Sequence, residues 1–186
     1  AIAPDVTAIV GAPVEDDGSL YNSAVVLDGG AVVGRYDKTH LYDAEGSLFE
    51  AGREYPVFET SVGRIGVEIC YDVEFPEVAR QLALGGADVV VTISANMRPF
   101  VSDQQTYLRA RAAENVVPHV LCNRTGTEHG VEFFGASGIV DERGRPVVTA
   151  GADRELTVTG TVSLDGHGAE SLQYLADRRP ETYTRA

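Results

Sequence analysis

The stretch "GRIGVEICYDVEFPE" (63–77) sets Cys70 where a short apolar run stops and the pair Pro76 and Glu77 opens what reads as a helix. A thiol at such a position has two ordinary fates. It packs as a small hydrophobe at a strand end. Alternatively, the unpaired N–H groups and dipole of the following helix favour its thiolate, and the same N–H groups can hold a developing oxyanion. Strand-turn-helix geometry alone leaves both readings open. Four histidines, His40, His119, His129 and His167, offer a Cys-His pair as one way to activate the thiol. Most single histidines are structural or solvated, which makes that pair the weaker alternative. Cys122, in "HVLCN", reads as an ordinary buried thiol, and Arg111 with Glu114 has the spacing of a helix-surface pair. No Cys/His cluster has metal-ligand spacing, and Gly63 and Gly66 are too few and wrongly placed for a phosphate loop. No metal and no cofactor are implied.

The elements that must position Cys70 follow from the pattern around it. "VTAIVGAPV" (6–14) reads as a strand, and "YNSAVVLDGGAVVGRYDK" (21–38) as a hairpin about Asp28-Gly29-Gly30. "VFETSV" and "RIGVEIC" flank Gly63 as a second hairpin, with Cys70 ending its outgoing strand. A helix "PEVARQLAL" stops at Gly85-Gly86, and "ADVVVTIS" (87–94) is apolar enough for a strand buried on both faces. Strand, helix and strand form a right-handed βαβ unit. The unit repeats with a helix over 102–115, capped by Ser102 or Asp103, and the strand "VVPHVLCN" (116–123). A Gly-rich loop is expected at 124–130, then a meander of "FFGASGIVD", "PVVTAG" and "LTVTGTVSLD" with a turn at 141–146. Hairpins in front, parallel units in the middle and antiparallel strands behind predict a layered α/β protein with two sheets.

The chain of 186 residues is the size of one domain and can bury a sizeable core. With 15 Lys and Arg against 28 Asp and Glu, its net charge of −13 repels polyanions, so nucleic acid is not an expected partner. No window has the apolar run of a membrane span. Two cysteines are too few for a disulfide framework and no leader precedes the first strand, which points to a reducing, cytoplasmic compartment.

"GRIGVEICYDVEFPEVARQLALGGADVVV" resembles the nucleophile segment of the nitrilase, or carbon–nitrogen hydrolase, superfamily. Further matches stand in order: "YNSAVVLD" and "GRYDKTHLYDAEGSLFEAG" before it, "RARAAENVVPHVLCNRTG" and "FFGASGIVDERGRP" after it. The resemblance runs from about residue 6 to about residue 165. It implies an α/β fold, the four-layer α-β-β-α sandwich of that family, with a hydrolase domain over 1–165 and a C-terminal tail over 166–186 in subunit contact. It also implies a catalytic group of Cys70 as nucleophile, Lys38 as the ammonium facing the oxyanion, and Glu45 as a second glutamate that positions substrate and proton transfer. Without the resemblance, Lys38 reads as a solvated strand-end lysine and Glu45 as a loop carboxylate. Substrate contacts are expected from Tyr71, through its backbone N–H, and from Glu74, which instead could cap the next helix.

The family's remaining catalytic glutamate, a general base, belongs to a segment that precedes the strand matched by "APDVTAIVGAPV", so the resemblance implies an N-terminally incomplete domain. The expected activity is hydrolysis of a small linear amide, with ammonia released through a thioester on Cys70. Amide is preferred because "SANMRPF" and "DRRPETY" resemble aliphatic and ω-amino-acid amidases. N-carbamoyl amine or nitrile hydrolysis would use the same residues, and a scaffold without the base is the contrasting reading. Family resemblance further implies a homodimer or larger assembly, through 102–115 and 170–186.

Overall fold

The computed structural model describes residues 3, 5–164 and 173–183. Three antiparallel strands form the first sheet: β1 (Thr7–Asp16), β2 (Ser19–Asp28) and β3 (Ala31–Asp37). Gly29 and Gly30, at φ 57° and 84°, make the two-residue turn between β2 and β3 that the sequence asks for. The chain then runs through a 3₁₀ turn at Asp43–Ser47 into β4 (Val57–Thr60) and β5 (Gly63–Ile69). After a second 3₁₀ turn, Cys70–Glu74, come α1 (Pro76–Leu84), β6 (Val89–Ser94), α2 (Val101–Asn115) and β7 (His119–Asn123). Four short strands complete the order: β8 (Thr125–Glu128), β9 (Val131–Phe134), β10 (Gly138–Val140) and β11 (Pro146–Thr149).

The second sheet has the order β11-β10-β7-β6-β5-β4. Its centre, β5-β6-β7, is parallel, with α1 and α2 as crossovers, and its flanks are antiparallel. The two sheets face each other through Ala24, Val26 and Tyr36 on one side and Ile65, Val67, Ile69 and Val89 on the other. On the far face of the larger sheet, α1 buries Val78, Leu82 and Ala83 against Val90 and Val117, and α2 buries Leu108 and Ala112 against Leu121 and Val140. Burying each large aliphatic side chain here contributes about 1.5–3 kcal/mol. Helices, six-stranded sheet and three-stranded sheet are therefore successive layers, and both α-helices of the described residues lie on the six-stranded sheet.

Several expectations need correction. The segment 124–130 is not a loop: β8 and β9 pair across His129 and Gly130, whose φ values of 50° and 81° make a tight two-residue turn. "FFGASGIVD" does not enter a meander whole, because Phe133 and Phe134 belong to that hairpin and only Gly138–Val140 joins the sheet, against β7. No strand forms over the described residues of "LTVTGTVSLD". Neither Ser102 nor Asp103 caps α2, which starts one residue earlier on Phe100 without a side-chain cap. Of the C-terminal tail, the described part packs Leu175 against the α1 cluster and makes a single 3₁₀ turn at Pro180–Thr182. His167 lies outside the described residues. Among the described residues, no helix is long and apolar enough to cross a membrane.

Candidate active site

Cys70 does not end a strand. β5 stops at Ile69, and Cys70 opens the 3₁₀ turn with φ 49°, a left-handed conformation unusual for a residue with a Cβ. The side chain is thereby lifted off the sheet at the carboxyl end of a parallel strand, a backbone arrangement like that of strained strand-to-helix elbows. The dipole of α1 is not what faces it, since α1 begins only at Pro76. The free N–H groups around Cys70 and Tyr71 belong to the 3₁₀ turn itself.

The elbow is fixed by Asp72, a residue the sequence did not single out. Its carboxyl is fully buried and accepts hydrogen bonds from three segments. Oδ2 receives the Ile69 N–H at 3.0 Å and the Tyr36 hydroxyl at 2.8 Å. Oδ1 receives the His40 N–H at 3.0 Å and the Thr39 hydroxyl at 3.1 Å, and it faces His40 Nδ1 at 3.0 Å. Burial, with the Asp72 charge second, raises the Tyr36 pKa and keeps that phenol a donor. The end of β3 and the start of the elbow are thus tied to one carboxylate.

Lys38 follows directly after β3 and is 2% exposed. Its Nζ meets Glu45 Oε2 at 2.6 Å. Glu45 stands in the 3₁₀ turn 43–47, where Oε2 also accepts the Tyr42 N–H at 2.7 Å and Oε1 accepts Asn22 Nδ2 at 2.9 Å. A lysine this deep requires a counter-charge, and Glu45 is it.

Cys70, Lys38 and Glu45 all line one cavity of about 500 Å³, within the range of small-molecule sites. Ile69, Ile93 and Cys122 stand side by side across β5, β6 and β7, so the cavity lies over the carboxyl ends of the parallel strands. Cys122 is exposed into it rather than buried, a second correction to the sequence reading. A smaller cavity of about 230 Å³ adjoins through Tyr42, Cys70 and Met97, and adds Tyr71 and Glu74 to the lining. Glu74 does not cap α1, whose N-cap Phe75 has no side-chain partner. Among the described residues, no histidine forms a pair with Cys70. His40 turns to Asp72 and stacks on Phe75 at 3.9 Å, while His119 is buried against Thr92. Arg111 ties α2 to the elbow: Nε and Nη2 donate to the carbonyls of Val73 and Glu74, and Nη1 pairs with Glu114 at 3.1 Å.

A three-stranded and a mixed six-stranded sheet packed face to face, with a strained cysteine elbow and a buried lysine paired to a half-buried glutamate on one cavity, define an α/β protein of the nitrilase-superfamily class. The carbon-nitrogen hydrolase family profile matches residues 4–169, and the chain belongs to that family. It is 39% identical over 172 residues to the probable nitrilase C965.09 of Schizosaccharomyces pombe, covering 89% of this chain and 62% of that protein. The carbon-nitrogen hydrolase of Helicobacter pylori G27 superposes with a TM-score of 0.89 at 29% identity, over 96% of this chain and 70% of that one. The amidase of Nesterenkonia sp. AN1, solved as a mutant carrying the acetamide moiety of fluoroacetamide on its active-site cysteine, superposes with a TM-score of 0.83 at 30% identity, over 96% and 66%. The chain spans about three fifths of the length of the curated relatives it matches.

Proposed function

We propose that the polypeptide containing this chain hydrolyses the C–N bond of a small linear amide, with Cys70 as nucleophile, Lys38 and Glu45 as catalytic partners, and Tyr71 and Glu74 touching the substrate. The observation that carries this reading is that the Cys70 elbow and the Lys38–Glu45 pair share one small-molecule cavity. The Cys70 thiolate attacks the amide carbon. The oxygen's new negative charge is offset by the Lys38 ammonium and the Tyr71 backbone N–H. The proton that the Cys70 thiol gives up passes by way of Glu45, hydrogen-bonded to Lys38, to the leaving nitrogen; the C–N bond breaks and ammonia departs, and water then adds to the thioester carbon, leaving its oxygen on the acid and a proton on the sulfur. The solved cysteine adduct of the Nesterenkonia amidase supports cysteine as the attacking group and amide as the substrate class.

The test is ammonia release from short amides by the full-length protein, before and after alkylation by iodoacetamide. Cys70→Ala is expected to lower kcat by at least about 10³-fold. Activity that persists with Cys70 fully alkylated overturns the mechanism. A full-length protein that releases no ammonia from any short amide, while Cys70 still alkylates rapidly, speaks for the scaffold reading instead.

A further inference from the structure

Glu45 depends for its place on a turn with little of its own to hold it. No residue of Asp43–Ser47 is buried, and Asp43 sits at φ 48°, a left-handed conformation that surrounding contacts must maintain. Asn22 and Lys38 hold the two carboxylate oxygens. Tyr42, the residue before the turn, is bonded to Glu45 twice. Its N–H donates to Glu45 Oε2 at 2.7 Å, and its carbonyl accepts the Glu45 N–H at 3.0 Å.

The Tyr42 ring reaches across to the elbow. It meets the Tyr71 ring edge to face, with centroids 5.2 Å apart, and Tyr71 meets Phe75 in the same way at 5.0 Å. Phe75 stacks on His40 at 3.9 Å, and His40 Nδ1 faces the buried Asp72 carboxylate. Four rings thus run from Asp72 to Tyr42, and the path returns from Glu45 through Lys38 and Thr39 to His40. The circuit passes Cys70 at Tyr71 and takes in Lys38 and Glu45, the three groups that share the larger cavity. Within it, the Tyr42–Tyr71 contact is where the Glu45 turn touches the elbow.

We infer that Tyr42 is a positioning residue for the proposed hydrolysis: its ring, docked on Tyr71, ties the turn of Glu45 to the elbow of Cys70, so that carboxylate and nucleophile keep one relative position. The inference rests on the hydrolase reading above and adds to it a residue that acts through Glu45. Without the ring contact the turn is free to shift, and a misplacement of about 1 Å costs on the order of 10²-fold in rate.

The test uses the full-length protein and a short amide, with kcat and KM measured separately. Tyr42→Leu is expected to lower kcat by about 10- to 100-fold with KM within about 3-fold. Tyr42→Phe keeps the edge-to-face contact and should stay within about 3-fold of the wild type on both. Tyr42→Leu combined with Tyr71→Leu should lose less than the product of the two single losses, because both changes break the same contact. A loss that falls on KM makes Tyr42 a wall of the cavity, and single losses that multiply, or equal losses in the Leu and Phe variants, take the ring contact out of catalysis. Each of these overturns the positioning role while the hydrolase reading stands. Should the wild type turn over no amide, that reading fails and hydrogen exchange decides the coupling on its own. Amides over 42–49 that exchange at least about 10-fold faster in Tyr42→Leu than in Tyr42→Phe uphold it, and equal exchange overturns it.

Discussion

At Asp72, two parts of the chain 36 residues apart meet on one carboxylate, and the orientation of Cys70 depends on that junction. Ile69 N–H, His40 N–H and the hydroxyls of Tyr36 and Thr39 all converge on it in a fully buried position. Asp72→Ala would strand these donors without an acceptor, and each buried group so stranded costs about 1–3 kcal/mol. Relaxation recovers part of the sum, so the expected loss is about 3–5 kcal/mol, the range for breaking a buried charged network. Asp72→Asn keeps one accepting oxygen and should lose less. Urea unfolding of both variants measures this, with the slope of the transition checked for constancy. A change below about 1 kcal/mol in Asp72→Ala would mean the elbow is fixed by its strand and turn alone.

Among the elements, α2 reaches furthest into the site, through Arg111. Arg111 is 7% exposed, and its guanidinium donates to two carbonyls of the turn that begins at Cys70. Arg111→Met keeps the apolar stem and removes both bonds, so a loss of about 2–4 kcal/mol is expected in the same unfolding measurement. Arg111→Lys should recover little, because an ammonium cannot reproduce the planar fork. The spacing of Arg111 and Glu114 was legible in the sequence as a pair on one helix face, whereas the carbonyls that Arg111 also serves were not. What could be read follows a general division. Hairpins, the βαβ units and both α-helices came through because apolar periodicity and Gly-Gly turns are local signals. Asp72 and the exposure of Cys122 did not, since each depends on which distant segment lies alongside; the His129-Gly130 turn is local, but its first strand, TGTE, has no apolar alternation to announce it. Lys38 and Glu45 were legible only by resemblance. A lysine after a strand and a glutamate in a turn carry no intrinsic sign that they will meet at 2.6 Å.

For the whole molecule, the pH dependence of stability should be set by Glu68 and His119, both fully buried beneath the site and joined through the Thr92 hydroxyl. Their side chains are 3.7 Å apart, and burial acts against the charged form of each. Burial, with the Asp72 charge second, pushes Glu68 up to about 8, and burial, with Arg111 second, pushes His119 down to about 3. Glu68 binds its proton more tightly when folded, so its contribution is complete below about pH 4.5 and is lost as pH rises towards 8. His119 is the reverse: its contribution is complete above about pH 6.5 and is lost as pH falls towards 3. Between about 4.5 and 6.5 the two slopes cancel. Stability should therefore show a plateau there and fall on either side, with a slope of up to about 1.4 kcal/mol per pH unit. The net charge of −13 adds self-repulsion that also eases on acidification, and salt separates the two effects. Surface repulsion is screened within about 10 Å at 0.1 M salt, but a buried carboxyl is screened far less. The expected outcome is that the fall in unfolding free energy from about pH 6.5 to about pH 8 survives roughly 0.5 M NaCl in the wild type and flattens in Glu68→Gln. Disappearance of that alkaline limb in the wild type on adding salt would assign it to the acidic surface and not to the buried pair.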